Sequence, residues 1–258
     1  MLTKIKAFCR EPAVWELAVI SVILLLSLIC LFFLPQKSTP QPPAQTLPTQ
    51  AATAPTQPTV PPVLGIDVSE HQEQVDWQQV KAAGIEFVMI RVGWRGYTQG
   101  ELFADTLAQT HYQGAKAAGL KVGAYIFSQA ISPEEGKEEA EYLLEQTKDW
   151  QVDLYLALNW EYTGEESRTA QVDARTLTDI TKAFCQRVEQ QNKRSIIYFD
   201  AYLASTRLYL EELQGYPFWL AQYAREMDFS HSVTMWQYTS TGQVPGIDGD
   251  VDMNRYYP

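Results

Sequence analysis

Two side chains in the middle of the chain have the types and spacing of a reacting pair. In Leu154-Tyr155-Leu156-Ala157-Leu158-Asn159-Trp160-Glu161 an apolar run ends abruptly in an amide and a carboxylate. Side chains alternate faces along a strand, so Asn159 and Glu161 point the same way and Trp160 points oppositely. Two strand steps set the pair about 6–7 Å apart along the backbone. A carboxylic acid at the end of a buried strand is a candidate proton donor. Its near neighbour here is an amide and not a second acid.

Other candidates separate by their local pattern. Asp67, in Gly65-Ile66-Asp67-Val68-Ser69, either caps the following turn or presents a carboxylate at a strand end. Asp248-Gly249-Asp250-Val251-Asp252-Met253-Asn254 has alternating acids, but a calcium loop needs Gly at its sixth position and Glu at its twelfth. Met253 holds the sixth and the chain ends at Pro258, so the segment reads as a turn into a strand that presents Asp252. His71, His111 and His231 lack metal-ligand spacing, and there is no Gly-x-Ser-x-Gly elbow. The pattern therefore calls for no metal and no cofactor. His71, close after Asp67, is the histidine placed to line a cleft. Asp200 reads as the cap of the helix that follows it. Cys185 sits at helical apolar spacing in Ile180 to Val188, as a small core residue.

These residues need elements to hold them. Apolar runs of strand length recur at 63–68, 87–92, 121–127, 154–160, 195–199, 218–223, 234–238 and 251–253. Several are nearly continuous, as in Phe87-Val-Met-Ile-Arg-Val, which suits strands covered on both faces. Amphipathic stretches at 75–83, 103–119, 133–148, 170–191 and 201–213 read as helices. Gly84 and Gly119 stand as C-terminal stops, and Ser132-Pro133 as a cap with proline in the first turn. Strand–helix alternation implies parallel pairing. Eight strands with about five helices predict an α/β fold, an irregular TIM-like barrel. An open doubly wound sheet is the alternative, but no glycine-rich phosphate loop marks one.

In such barrels the chemistry gathers at one mouth, at the strand ends. The strands then contribute Asp67, Arg91, Ser128, Asn159 with Glu161, Asp200, Gln222 with Tyr223, Gln237 with Tyr238, and Asp252. Trp94, Tyr125, Tyr198, Trp219, Tyr223, Trp236 and Tyr238 lie in or beside strands, some as core and some as flat platforms. Acids, amides and rings on one face suit a carbohydrate.

The first 62 residues have another composition. Residues 17–34 are an 18-residue apolar run, long enough to cross a bilayer as a helix. The run ends in Phe-Phe-Leu-Pro without a small-x-small cleavage site, so a retained anchor is expected. Lys4, Lys6 and Arg10 precede it, which puts residues 1–16 in the cytoplasm and the rest outside the membrane. Residues 35–62 hold nine prolines among Gln, Thr and Ala and read as a semi-rigid spacer. Residues 63–258 then form one domain. Setting aside Lys4, Lys6, Arg10, Lys37, Glu11 and Glu16 leaves it 16 basic and 29 acidic residues, a net charge of −13. Nucleic acid and anionic lipid are thereby excluded as partners of the domain.

Residues 64–258 resemble the family 25 glycoside hydrolases, the Chalaropsis-type lysozymes or N-acetylmuramidases. The resemblance rests on Gly65-Ile-Asp-Val-Ser69, Phe87-Val-Met-Ile-Arg-Val-Gly93, Ala118-Gly-Leu-Lys-Val-Gly-Ala-Tyr125, Phe218-Trp-Leu-Ala-Gln-Tyr223 and Trp236-Gln-Tyr-Thr-Ser-Thr-Gly242. Val244-Pro-Gly-Ile247 and Val251-Asp-Met-Asn254 also fit, in order. It implies cleavage of the β-1,4 bond between N-acetylmuramic acid and N-acetylglucosamine in peptidoglycan glycan strands. Glu161 falls on the family's general acid, with Asp67 and Asp252 on its supporting acids. Arg91, Tyr125, Tyr198, Gln222, Tyr223, Trp236 and Gln237 are the expected substrate contacts. The family's Asp-x-Glu falls on Asn159-Trp160-Glu161, so an amide replaces an anion. Losing that like charge should lower the proton affinity of Glu161 and weaken turnover. A peptidoglycan-binding module without chemistry is the alternative; a purely structural anchor would leave the acids and rings unexplained.

Overall fold

A computed structural model describes residues 60–258 of the 258-residue chain. The expected cytoplasmic segment 1–16, membrane span 17–34 and all but the last three residues of the spacer 35–62 lie outside the described residues. Among the described residues no helix is long and apolar enough to cross a membrane.

The strands are β1 (Val63–Val68), β2 (Phe87–Arg95), β3 (Leu102–Ala104), β4 (Lys121–Ser128), β5 (Leu156–Trp160), β6 (Ser195–Asp200), β7 (Phe218–Ala221), β8 (Met235–Gly242) and β9 (Val251–Tyr256). The helices are α1 (Trp77–Ala82), α2 (Ala108–Ala117), α3 (Pro133–Gln146), α4 (Ala174–Glu189) and α5 (Ala201–Thr206). Hydrogen-bonded neighbours run β1-β9-β8-β7-β6-β5-β4-β2, and a further β1–β2 pairing closes the ring into an eight-stranded barrel. The barrel is parallel except for β9, which runs antiparallel to both β1 and β8. β3 lies outside the ring, as the antiparallel partner of β2 in a hairpin.

All eight expected strands are present, with five helices between or after them. The main difference is at 103–107, read from sequence as the start of a helix. Leu102–Ala104 instead completes the hairpin, and Asp105 turns the chain by accepting the backbone N–H of Leu107 at 3.1 Å. Capping residues set the other helix starts. Ser132 accepts from the N–H of Glu135 ahead of α3, and Asp173 from Thr176 ahead of α4. Asp200 accepts from Leu203 at 2.7 Å, the capping role read from its position.

Strand alternation sorts the core into two layers. Phe87, Met89, Tyr125, Ala157, Tyr198, Trp219 and Met235 fill the barrel. Tyr125 on β4 meets Trp219 on β7 with ring centroids 6.0 Å apart, although those strands are not neighbours, so the contact crosses the lumen. Gly65 permits this filling, because a Cβ there would sit 2.3 Å from the Phe87 ring. The alternate residues Val88, Ile90, Leu158, Trp160, Phe199 and Trp236 face outward against the helices, which bury Leu143, Leu177, Ile180, Phe184 and Cys185. Each fully buried Leu or Phe contributes about 1.5–3 kcal/mol, so this outer layer is the main source of stability. Burial drives the Cys185 thiol up to about 12, the state of a core residue.

Candidate active site

β1, β2, β4, β5, β6, β8 and β9 deliver side chains to one cleft of about 320 Å³ at the barrel mouth. Asp67, near the end of β1, and Asp252, near the start of β9, are partners in the antiparallel ladder. The reversed direction of β9 is what brings an N-terminal strand residue to the mouth where the parallel strands end. Asn159 lies in β5, with Glu161 one residue beyond it. Their expected common face is confirmed by Trp160, whose indole N–H turns the other way and donates to the carbonyl of Ala130 at 2.8 Å. The same alternation places Tyr125 and Phe127 of β4 together in the cleft wall.

Asp67 is the end point of a directed set of donors. Its Oδ2 accepts from Gln237 Nε2 at 2.9 Å and from Asn254 Nδ2 at 2.7 Å. Gln237 Oε1 accepts from the hydroxyls of Tyr198 at 3.1 Å and Tyr223 at 3.0 Å. Asn254 Oδ1 accepts from the indole N–H of Trp219 at 2.8 Å. Each outer donor fixes which end of its amide faces Asp67, so both amides present N–H groups to one oxygen. Even so, burial and the adjacent charge of Asp252 hold the proton affinity of Asp67 well above the aspartate range. Asp252 is also raised by burial, while Asp67 beside it favours its anion. Two carboxylates opposed across a ladder thus hold a proton to higher pH than isolated aspartates would, with the stronger upward shift at the more buried Asp67.

The second pair is built differently. Burial is the largest influence on Glu161 and raises its proton affinity; the charges of Asp200 and Asp252 add to this, and the Asn159 and Tyr198 side chains oppose it. The lowering expected from the missing aspartate is therefore outweighed by desolvation. The backbone of Glu161 is held from behind, since its carbonyl accepts from Gln129 Nε2 at 2.8 Å. Asn159 is buried, and its Oδ1 has no hydrogen-bond partner. A buried acceptor without a donor is costly, by about 1–3 kcal/mol, and such groups concentrate where ligands bind.

Nine of the eleven site residues read from sequence line this cleft: Glu161, Asp67, Asp252, Asn159, Arg91, Tyr125, Tyr198, Tyr223 and Gln237. Arg91 is fixed there by Asp105 at 2.9 Å and Glu70 at 3.4 Å. Gln222 and Trp236 are placed elsewhere. β7 ends at Ala221, and the Gln222 amide closes a loop by pairing with the backbone of Asp228. Trp236 precedes Gln237 on β8, so alternation turns it outward, where its N–H meets the carbonyl of Gln222 and Arg255 covers its ring. Trp219 is wholly buried inside the barrel, beneath the site.

His71 lines the cleft, as its place after Asp67 suggested, and the structure adds Ser69, Gln72, Phe127 and Ser240 to the lining, with Asn254 behind it. Some carried a signal. Asn254 stands two residues from Asp252 and Phe127 two from Tyr125, and Ser69-x-x-Gln72 is a capping box that the structure completes. A larger cavity of about 860 Å³ lies beside α1 and α2. Its polar groups already serve structure, with Asp76 capping α1 and His111 bonded to the carbonyl of Ser69.

Comparison with known proteins identifies the family and the fold. Residues 66–247 match the family described as Glycosyl hydrolases family 25. YegX of Escherichia coli K12, an uncharacterised protein, is 31% identical over 198 residues, covering 74% of this chain and 68% of that protein. The crystal structure of a bacterial lysozyme from Streptomyces coelicolor superposes with a TM-score of 0.65 at 28% identity, over 76% of this chain and 92% of that one. The modular autolysin LytC of Streptococcus pneumoniae, solved in complex with a synthetic peptidoglycan ligand, superposes with a TM-score of 0.67. At 24% identity that likeness is one of fold, and its aligned region spans 76% of this chain but 47% of LytC.

Proposed function

The chain belongs to glycosyl hydrolase family 25, a glycosidase family with lysozyme members, and from that premise we propose that it hydrolyses the β-1,4 bond between N-acetylmuramic acid and N-acetylglucosamine in peptidoglycan. The observation that carries this reading is a half-buried Glu161, raised in proton affinity mainly by desolvation, in the same cleft as the Asp67–Asp252 pair. An acid that holds its proton to higher pH than an ordinary glutamate can protonate the leaving glycosidic oxygen as the C–O bond breaks. Positive charge then develops on the sugar ring, and the acidic cleft stabilises it.

Asn159 decides the second half of the reaction. An amide cannot take a proton or attack the sugar as an anion. It can orient the substrate's own acetamido group, whose carbonyl oxygen then attacks the anomeric carbon while water later opens the resulting ring. The partnerless Oδ1 of Asn159 suits that role, since an acetamido N–H is a donor it lacks. The same substitution favours a second reading, in which the cleft binds glycan without turning it over.

Incubation of the full chain with insoluble peptidoglycan separates the two. Release of new reducing ends that is abolished by Glu161→Gln supports hydrolysis. Binding without release, combined with cleavage by Asn159→Asp, establishes the binding module instead. We further propose that the apolar run 17–34 anchors the domain outside a membrane through the proline-rich spacer. Protease protection of the amino terminus but not of the domain in intact cells is the expected result; recovery of the full chain in the soluble fraction would refute it.

A further inference from the structure

We propose that the β2–β3 hairpin carries a distal sugar-binding platform, which holds further pyranose rings of the same glycan strand beyond the cleft. The inference rests on the glycan-cleft reading above. A single cross-strand row supports it: Phe103 pairs with Trp94, Trp94 with Phe127, and Phe127 with Asn159. Residues paired across a sheet project to one face. The row therefore leads from the outer edge of the hairpin into the reacting pair, roughly 14 Å over three strand spacings.

A register shift between Arg91 and Gly93 creates this row. Without it Trp94 would fall on the helix-facing side with Val88, Ile90 and Val92. With it, Trp94 shares the cleft side with Arg91, whose guanidinium lies 5.0 Å from the centre of its ring. Trp94 stacks on Phe103 at 5.6 Å and 25°, and Tyr97 in the hairpin turn leans on Phe127 at 5.9 Å. Phe127 lines the cleft. Yet Tyr97 is 49% exposed and Phe103 44%, a large apolar surface left open beside a polar cleft.

The hairpin is held rigid, as a platform requires. Gly93 lets the strands close, because a Cβ there would lie 2.3 Å from the carbonyl oxygen of Phe103. The buried Arg95 donates to the carbonyl of Gly100 at 2.7 Å and to Glu139 of α3 at 2.7 Å. The backbone N–H of Arg168 donates to the carbonyl of Tyr97 at 3.1 Å. Flat rings fixed in advance lose little freedom when a sugar face lies on them. The continuity of the row with the cleft is what selects a glycan as the occupant.

The test uses the full chain carrying Glu161→Gln, so that bound glycan is not consumed. The probes are peptidoglycan glycan strands stripped of stem peptides and sized into tetrasaccharide and dodecasaccharide pools, with Kd read by calorimetry. The longer pool is expected to bind about tenfold more tightly than the shorter. Replacing both exposed rings, Tyr97→Leu with Phe103→Leu, should bring that ratio close to one. Tyr97→Phe with Phe103→Tyr, which keeps the flat rings, should preserve it. A ratio already near one before substitution, or one that survives the leucine variant, overturns the platform. If the tetrasaccharide is bound and is cut by the unsubstituted chain while the ratio is near one, this inference alone fails. If neither pool is bound or cut, the glycosidase reading fails with it.

Discussion

Two pairs of side chains share one cleft, and they are finished to different degrees. Asp67 and Asp252 face each other across the β1–β9 ladder, with two amide donors converging on Asp67 Oδ2, each oriented by aromatic donors behind it. Glu161 and Asn159 share β5, and there one amide oxygen is left without a partner. The first pair is a completed network that stores a proton. The second is an acid held ready beside an unfilled acceptor. Structural networks saturate their hydrogen bonds, whereas a site that must receive a substrate group leaves one open.

The largest effect should come from removing the ready acid. Glu161→Gln is expected to slow reducing-end release by about 10²–10⁴-fold. A rate within tenfold of the unsubstituted chain would move the proton donor to the other pair. Asp67→Asn should cost about 10²-fold in rate while leaving the fold intact or firmer. An asparagine oxygen can accept from Gln237 and Asn254, and its amide can face Asp252 as a protonated aspartate does.

The pH dependence sharpens this contrast. The folded chain holds the Asp67 proton above the ordinary aspartate value of 3.8. Between that value and the raised one the folded state binds a proton that the unfolded state has released. The stability present at low pH is therefore lost as pH rises through the window. Asp67→Asn should flatten that decline in melting temperature; an unchanged slope would show that the pair does not store the proton.

Smaller effects follow. Asn254→Ala removes a donor from Asp67 and the acceptor of Trp219, and should cost about 1–3 kcal/mol in denaturant unfolding. A loss under a few tenths would mean that the network is ornamental to the fold. Asn159→Asp should shift the upper limb of the pH–rate profile by about one unit toward alkaline pH, because a like charge strengthens the hold of Glu161 on its proton. A shift toward acid pH, or none, would mean that the two side chains do not interact.

Much of the site was legible because strand alternation is local. The opposition of Trp160 to Asn159 and Glu161 follows from period two alone, and the structure reproduces it. The same rule, carried through β8, would have separated Gln237 from Trp236. Gln222 needed the end of β7, which is set by a loop that the amide itself closes. The aromatic row was hidden for another reason. Residues 103–107 read as helix, and neither the β2 register shift nor the pairing of Trp94 with Phe103 leaves a periodic mark.

The sequence by itself determined the eight barrel strands, the five helices in outline and the acids at the strand ends. Alternation, capping and apolar runs are properties of neighbouring residues, and each residue carries them without knowledge of the rest. Only the tertiary structure decided that β9 runs backward to set Asp252 against Asp67. It alone showed that desolvation outweighs the missing charge at Glu161, and that one oxygen of Asn159 has no donor. Those outcomes depend on which distant segments exclude water together, and that follows from the closed barrel as a whole.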